Sequence, residues 1–294
     1  MTKQEAYDII NDFTTINAHT SEEKVLFDEA TKYLVETCKD DSIMTYLGNW
    51  YYKQNQFDLA IKYFECAALE GNASAEECLG HIWYYKNDYE KAFKHFENAI
   101  NKGDDTAAIK IADMYKNGYY ATKNYEKYKN IIETLYEKYK DLWDSPEDSY
   151  SPIAEVFTRL AEIKLEDGKT DEAISLYTQA KESLEYRISE HPFFGDLQLM
   201  KGLIHNLYQL TPFNINQSDF FDLYHLLTTP GTITIELNQQ QYEINVEQEE
   251  GNCVIEFLDT WYKNSNEFMT KATFNNIPLL NFTDNIKILS KESV

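Results

Sequence analysis

Two stretches decide how this chain folds: Ser42–Gly71, SIMTYLGNWYYKQNQFDLAIKYFECAALEG, and Ser74–Gly103, SAEECLGHIWYYKNDYEKAFKHFENAINKG. Laid over each other at a step of 32 residues, they match Leu47-Gly48 with Leu79-Gly80 and Tyr51 with Trp83. Ala60, Phe64, Ala67 and Gly71 match Ala92, Phe96, Ala99 and Gly103 at the same step. Self-similarity at a fixed period of this size is the mark of a stacked array of helical units. Within each stretch the apolar residues recur at helical spacing in two runs, so each copy reads as a hairpin of two helices. A lone hairpin cannot bury its apolar face, which makes stacking obligatory.

The pattern extends outward in both directions. Ile111-Ala112 and Tyr115 continue the period, and four extra residues around 119–123 lengthen the next turn so that Tyr125 aligns with Phe57 and Tyr89. Leu160-Ala161, Ala173, Tyr177 and Ala180 repeat the spacing again. Upstream, Phe27-Asp28-Glu29-Ala30 with Tyr33-Leu34 matches Phe57-Asp58-Leu59-Ala60 with Tyr63-Phe64. The small residues Gly48, Gly80, Ala112 and Ala161, then Ala60, Ala92 and Ala173, are expected where helix backbones cross closely. Phe64, Phe96 and Tyr177 are expected to fill the space between successive hairpins. Turn chemistry points the same way. Thr20 with Glu23, and Asn87 with Glu90, have capping-box spacing. Thr170 is placed to cap a helix. Ser151-Pro152 puts proline at a first helical position. Gly71 and Gly103 stand where a left-handed residue ends a helix.

Leu-Gly, aromatic, Ala, Phe and Ala at these intervals resemble the tetratricopeptide repeat. The Gly-Asn-Ala-Ser-Ala linker at 71–75 and the variable inter-helix turn look closer still to the related Sel1-like repeat. The resemblance covers roughly residues 20–185. Two departures are Asp104, where a proline often ends a unit, and Tyr128, where a small residue is expected; the latter predicts an irregular third hairpin. In that family the first helix of each unit lines a concave surface. Carried over, the resemblance implies a partner-binding groove of Asn49, Tyr52 and Lys53, then His81, Tyr84 and Tyr85, then Asp113, Lys116 and Asn117. One of Tyr84 and Tyr85 is expected to be partly core. The family's basic clamp for terminal carboxylates is not expected, because Thr45 and Glu77 occupy positions where it needs cations.

Beyond the repeats, Leu197, Met200, Leu203-Ile204 and Leu207 predict one helix, weakened by Gly202, and 218–227 a second, the pair acting as a terminal cap. At Thr229-Pro230-Gly231 the period changes from about 3.6 to 2. Ile233, Ile235, Leu237 and then Tyr242, Ile244, Val246 predict a hairpin turning at 238–240, with further strands at 253–258, 279–282 and 286–289. The fold class expected is therefore mainly α, a superhelix of stacked helical hairpins over 1–228 followed by a small β or α+β module over 229–294.

Composition narrows the function. With 27 Lys and Arg against 50 Asp and Glu, the net charge is −23, which repels phosphate backbones and anionic membrane surfaces. A basic protein or peptide partner suits such acidity. The polar N-terminus has no signal-peptide core, no segment has a membrane helix's length of apolar residues, and four scattered cysteines read as buried thiols. The expected location is cytoplasmic. His81 and His95 lie on different helices of one unit, and neither a metal site nor a cofactor motif is legible. The expected function is a protein- or peptide-binding scaffold rather than an enzyme. The alternatives are an activity in the C-terminal module, where Asp259, Glu267 and Asp284 lie near apolar strands, and self-assembly through Phe193-Phe194 or a sheet edge.

Overall fold

The computed structural model describes residues 1–15, 20–142, 152–190, 194–249 and 251–292. It is mainly α, with consecutive helical hairpins followed by an antiparallel sheet. The chain divides into two compact units, Met1–Ile131 and Ile132–Val294.

In the first unit the helices are α1 (Lys3–Thr15), α2 (Ser21–Lys32, continued by a π turn Tyr33–Thr37), α3 (Asp41–Lys53), α4 (Phe57–Leu69), α5 (Ala73–Tyr85), α6 (Tyr89–Asn101), α7 (Asp105–Asn117) and the first half of α8 (Tyr125–Tyr139). Each of α3 to α6 packs on its successor. The repeat is written into the caps as well as the core. Asp40, Asn72 and Asp104, each 32 residues apart, cap α3, α5 and α7 by accepting from the backbone N–H of Ile43, Ala75 and Thr106. Asn55 and Asn87, again 32 apart, both take the left-handed conformation in the turn between paired helices (φ 59° and 61°). Thr20 and Glu23 form the expected capping box, and Gly71 and Gly103 are left-handed as expected (φ 99° and 95°). Asn87 does not begin a helix; Asp88 is the cap of α6, accepting from Lys91 N at 3.2 Å.

The small residues explain the hairpin. A methyl group at Gly48 would lie 2.6 Å from the Phe64 ring, and one at Gly80 would lie 2.5 Å from the Phe96 ring. Phe64 and Phe96 therefore sit on glycines of their own hairpins, where they were expected only between hairpins. Phe64 does both, since its buried cluster includes Ala75, Leu79 and Ile82 of the following helix. Tyr128, the large residue at a small position, is taken wholly into the core. Ala92 is fully buried with Phe96 and Ala99, so Ala92→Leu is expected to cost about 1–3 kcal/mol through overpacking. Lys94→Leu, on the exposed side of the same helix, is expected to change stability by less than about 0.5 kcal/mol. Equal shifts in urea midpoint for the two variants contradict this register.

The second unit contains α9 (Ile153–Glu166), α10 (Thr170–Glu190), α11 (Phe194–Leu210) and α12 (Leu223–Leu226). Its sheet has the order β4-β3-β2-β1-β7, all antiparallel, with β1 Gly231–Leu237, β2 Gln240–Glu249, β3 Asn252–Phe257, β4 Thr260–Tyr262 and β7 Ile286–Glu292. A two-stranded ribbon, β5 (Thr273–Phe274) with β6 (Ile277–Pro278), and helix α13 (Ser265–Lys271) lie between β4 and β7. The alternation is as read: Ile233, Ile235, Leu237, Ile244 and Val246 face inward. They share one core with Leu197, Met200 and Ile204 of α11 and Leu184 and Ile188 of α10.

Five sequence expectations need correction here. Thr170 is the first residue of α10, not its cap, and Pro152 stands at the cap of α9, not inside it; Ser151 lies outside the described residues. The segment 218–227 is a 3₁₀ turn, Phe220–Asp222, opened by the reciprocal Asp219–Asp222 capping box, and followed by the four residues of α12. Residues 279–282 belong to a 3₁₀ segment, Leu279–Asn285, and not to a strand. The four cysteines are half-buried rather than buried.

Candidate functional site

The nine residues carried over by resemblance stand on α3, α5 and α7, and the structure separates them by what they touch. Asn49, Tyr52 and Lys53 are exposed on α3. Tyr52 packs edge-on against Phe57 at 5.5 Å, and Phe57 also meets Tyr85 of α5 at 6.4 Å. Tyr85 is 75% exposed and Tyr52 40%. Three aromatic side chains thus form a row that crosses from one hairpin to the next. Tyr84 turns the other way and is half-buried against Tyr89 (5.3 Å) and Tyr119 (5.8 Å), which stack on each other at 4.6 Å. Burial pushes the Tyr84 phenol above its ordinary range.

His81 stacks edge-on against Phe96 and lies 3.4 Å from Glu77, one turn earlier on α5. Glu77 also accepts from the Thr106 hydroxyl at 2.8 Å, which ties α5 to α7. Burial alone raises this carboxyl, yet the hydrogen bonds from His81 and Thr106 win and hold it below the usual range. Its neighbour Glu76 faces α6 and accepts from His95 (2.8 Å) and Lys102 (2.9 Å). Adjacent glutamates therefore fasten α5 on both sides and fix which of its faces stays open. On α7, the Asn117 amide donates to the Asp113 carbonyl at 2.8 Å, and Lys116 sits over the Tyr128 ring at 5.0 Å. Among the described residues no group of three His, Cys, Asp or Glu side chains has a metal-holding arrangement, and no helix is long and apolar enough to cross a membrane.

The second unit carries a charged cleft that no motif announced. Lys181 of α10, almost buried, bonds Asp219, lies 3.1 Å from Asp222 and 3.2 Å from Glu185. Beside it is a cleft of about 370 Å³ lined by Glu185, Tyr186, Asp219 and Phe220 among others. One ammonium group faces three carboxyls. Burial, helped by the adjacent Asp219 carboxyl, outweighs Lys181 and pushes Glu185 up to about 8. A carboxyl raised in the folded state contributes stability that is fully present below its unfolded value and is lost as pH climbs through the folded one. Stability of the second unit is therefore expected to fall as pH climbs from about 4.5, the ordinary value of this group, to about 8, by a few kcal/mol in all. Glu185→Gln, which imitates the protonated form, is expected to flatten that decline in thermal melts; an unchanged slope removes Glu185 as its source.

Of the residues suggested for chemistry in the C-terminal module, Glu267 belongs to a helix start and Asp259 to a turn. Glu267 sits in the first turn of α13, accepting from Lys263 N at 2.8 Å and pairing with Lys271 at 2.9 Å. Asp259 is an exposed left-handed turn residue between β3 and β4. The Asp284 side chain, Phe193 and the side chain of Phe194 lie outside the described residues.

What the first unit defines is a helical repeat: paired helices locked by glycine against phenylalanine, capped at a constant period. No protein-family model matches the chain, and no curated protein matches it by sequence. Among solved structures it is similar to a protective antigen of uropathogenic Escherichia coli displaying an SLR fold, with 15% identity over 71% of this chain and a TM-score of 0.45. The chain spans about half of that protein, 49% of its length. It is also similar to a Sel1 repeat protein of Oxalobacter formigenes (14% identity, 73% of this chain, 86% of that one, TM-score 0.44). A third is YrrB, a TPR protein with an unusual peptide-binding site (14% identity, 67% of this chain, 96% of that one, TM-score 0.37).

Proposed function

We propose that the chain is a protein- or peptide-binding scaffold, and that its contact surface is the open face of α3, α5 and α7. The observation that carries this reading is the exposed aromatic row Tyr52–Phe57–Tyr85 bridging two hairpins whose cores are fixed. Stacked hairpins create extended surfaces of this sort. Tyrosine supplies large contact area with a polar tip at a low cost in side-chain entropy. Asn49 and Lys53 on the same helix add hydrogen-bonding and charge at its edge. With 50 acidic against 27 basic residues, the partner we favour is a protein carrying basic segments and not a nucleic acid.

The test is affinity purification from the native cell with the full chain and with Asn49→Ala/Tyr52→Ala/Tyr85→Ala. All three side chains are exposed, so the circular dichroism spectrum and melting temperature are expected to stay as they are. Truncating two interface tyrosines is expected to weaken partner recovery by about tenfold or more. If every partner is recovered equally by both forms, the reading is wrong.

A further inference from the structure

Outside the aromatic row, the first unit contains a groove of about 410 Å³ between α1 and the start of α3. Its floor is Ile10 and Ile43, both almost fully buried. Its walls are the rings of Tyr7 and Tyr46, and Asp8 and Asn11 stand at the rim. The walls are held. The Tyr7 hydroxyl donates to Asp40 at 2.6 Å, and the Tyr46 hydroxyl lies 2.6 Å from that of Thr14, joining α3 to α1. Asp40 is fully engaged, since it also takes Lys3 at 2.6 Å and the N–H of Ile43 at 3.1 Å. Asp8 accepts from the Gln4 amide at 2.8 Å through one oxygen.

Charge decides what fits. Asp8 is the charged side chain lining the groove, and α1 and α3 together carry four carboxylates (Glu5, Asp8, Asp12, Asp41) against Lys53 at the far end of α3 and one lysine at the start of α1. That lysine, Lys3, already sits on Asp40 and 5.8 Å from the centre of the Tyr7 ring. The outer side of the wall thus shows the combination of aromatic face and carboxylate that attracts a cation. We propose that the groove receives a lysine or arginine side chain from a basic peptide segment of a partner protein. The aliphatic stem lies along Ile10 and Ile43, and the charged head reaches Asp8 between the two tyrosine rings. Long cationic side chains bury their stems on apolar surface while keeping the head polar, which matches an apolar floor below an acidic rim. This inference rests on the reading of the first unit as a peptide-binding surface, but places a specific contact away from the aromatic row.

The probe is a library of random dodecapeptides displayed on phage, selected on the full-length chain at about 150 mM salt so that diffuse attraction to an acidic protein is screened. Enriched peptides are then labelled, and their affinities measured by fluorescence anisotropy against the native chain, Asp8→Asn, Tyr46→Ala, Tyr46→Phe and Tyr52→Ala/Tyr85→Ala. The expected peptides carry Lys or Arg beside an aliphatic residue. Asp8→Asn and Tyr46→Ala are each expected to weaken them by about fivefold, the size of one exposed ion pair for Asp8 and of one cation–π contact for Tyr46, while Tyr46→Phe keeps the ring and the affinity. Asp8 and Tyr46 reach the surface, and circular dichroism with thermal melts checks that each variant is folded before its affinity is read. Enriched peptides without a cation, or basic ones indifferent to Asp8→Asn and Tyr46→Ala, overturn the inference. Loss confined to Tyr52→Ala/Tyr85→Ala overturns it while leaving the scaffold reading standing. No enrichment, or enrichment indifferent to all the variants, overturns both.

Discussion

Replacing Gly80 with leucine is expected to destabilise the first unit by about 3 kcal/mol or more, the upper end for overpacking. The first carbon of any side chain at this position falls 2.5 Å from the Phe96 ring, which is itself fully buried and has nowhere to swing. Alanine gains about 1 kcal/mol of intrinsic helix preference over glycine. Gly80→Ala nevertheless loses stability here, because the contact is closer than a methyl and a ring tolerate. The sign reverses once the ring is removed. In a Phe96→Leu background, Gly80→Ala is expected to be neutral or stabilising, and the two changes couple strongly because they occupy the same space. Gly202 of α11 is the internal control. A methyl there meets no atom within 4 Å, so Gly202→Ala is expected to stabilise by about 0.5–1 kcal/mol. Urea unfolding followed by circular dichroism measures all four variants. A Gly80→Ala gain like that of Gly202→Ala means that the helices of the hairpin do not cross where the structure puts them.

That contrast shows what the sequence could convey. Gly48 and Gly80 were legible as crossings because they recur at the same step as Leu47, Phe64 and Ala60, so a packing constraint became a period. The caps Asp40, Asn72 and Asp104 carry the same period, whereas at α6 the capping-box spacing of Asn87 with Glu90 competes with the true cap, Asp88. The segment 218–227 has helical apolar spacing, but it starts as a 3₁₀ turn in which Asp219 and Asp222 each accept from the other's backbone N–H. Leu279–Asn285 has strand-like apolar density, but it is held under the sheet as a 3₁₀ turn by core packing. Helix α13 did leave a signal, Asn264 three residues before Glu267, and the amide oxygen of Asn264 accepts from Glu267 N at 3.0 Å. The groove positions came from family resemblance, and resemblance cannot separate Tyr84 from Tyr85. The cluster around Lys181 unites residues about 40 apart in sequence with no repeating spacing, so nothing local announces it.

Lys181→Met is the second substitution expected to have a large effect. The lysine joins α10 to the Phe220–Asp222 turn through Asp219 and Asp222, and that turn leads by way of α12 into β1. Methionine keeps the length and the apolar stem and removes only the charge. It leaves three carboxyls facing one another, with the Asp222 side chain 1% exposed. Removing one partner from a buried ion cluster costs about 3–5 kcal/mol, whereas replacing the whole cluster by neutral groups is often close to neutral. Lys181→Met/Glu185→Gln/Asp219→Asn/Asp222→Asn, which neutralises all four groups, is accordingly expected to recover most of the loss, since Asn retains the capping oxygens at 219 and 222. The pH dependence follows from the same charges. Without the ammonium group the carboxyls hold their protons more tightly in the folded state, so their contribution is lost as pH rises. The gap between Lys181→Met and the native chain should then be narrow near pH 4–5 and wide near pH 8. Chemical denaturation at the two pH values measures it. A gap that stays below about 1 kcal/mol, or that does not change with pH, would mean that α10 and the turn are held by the surrounding Phe220, Phe221 and Leu223 core alone.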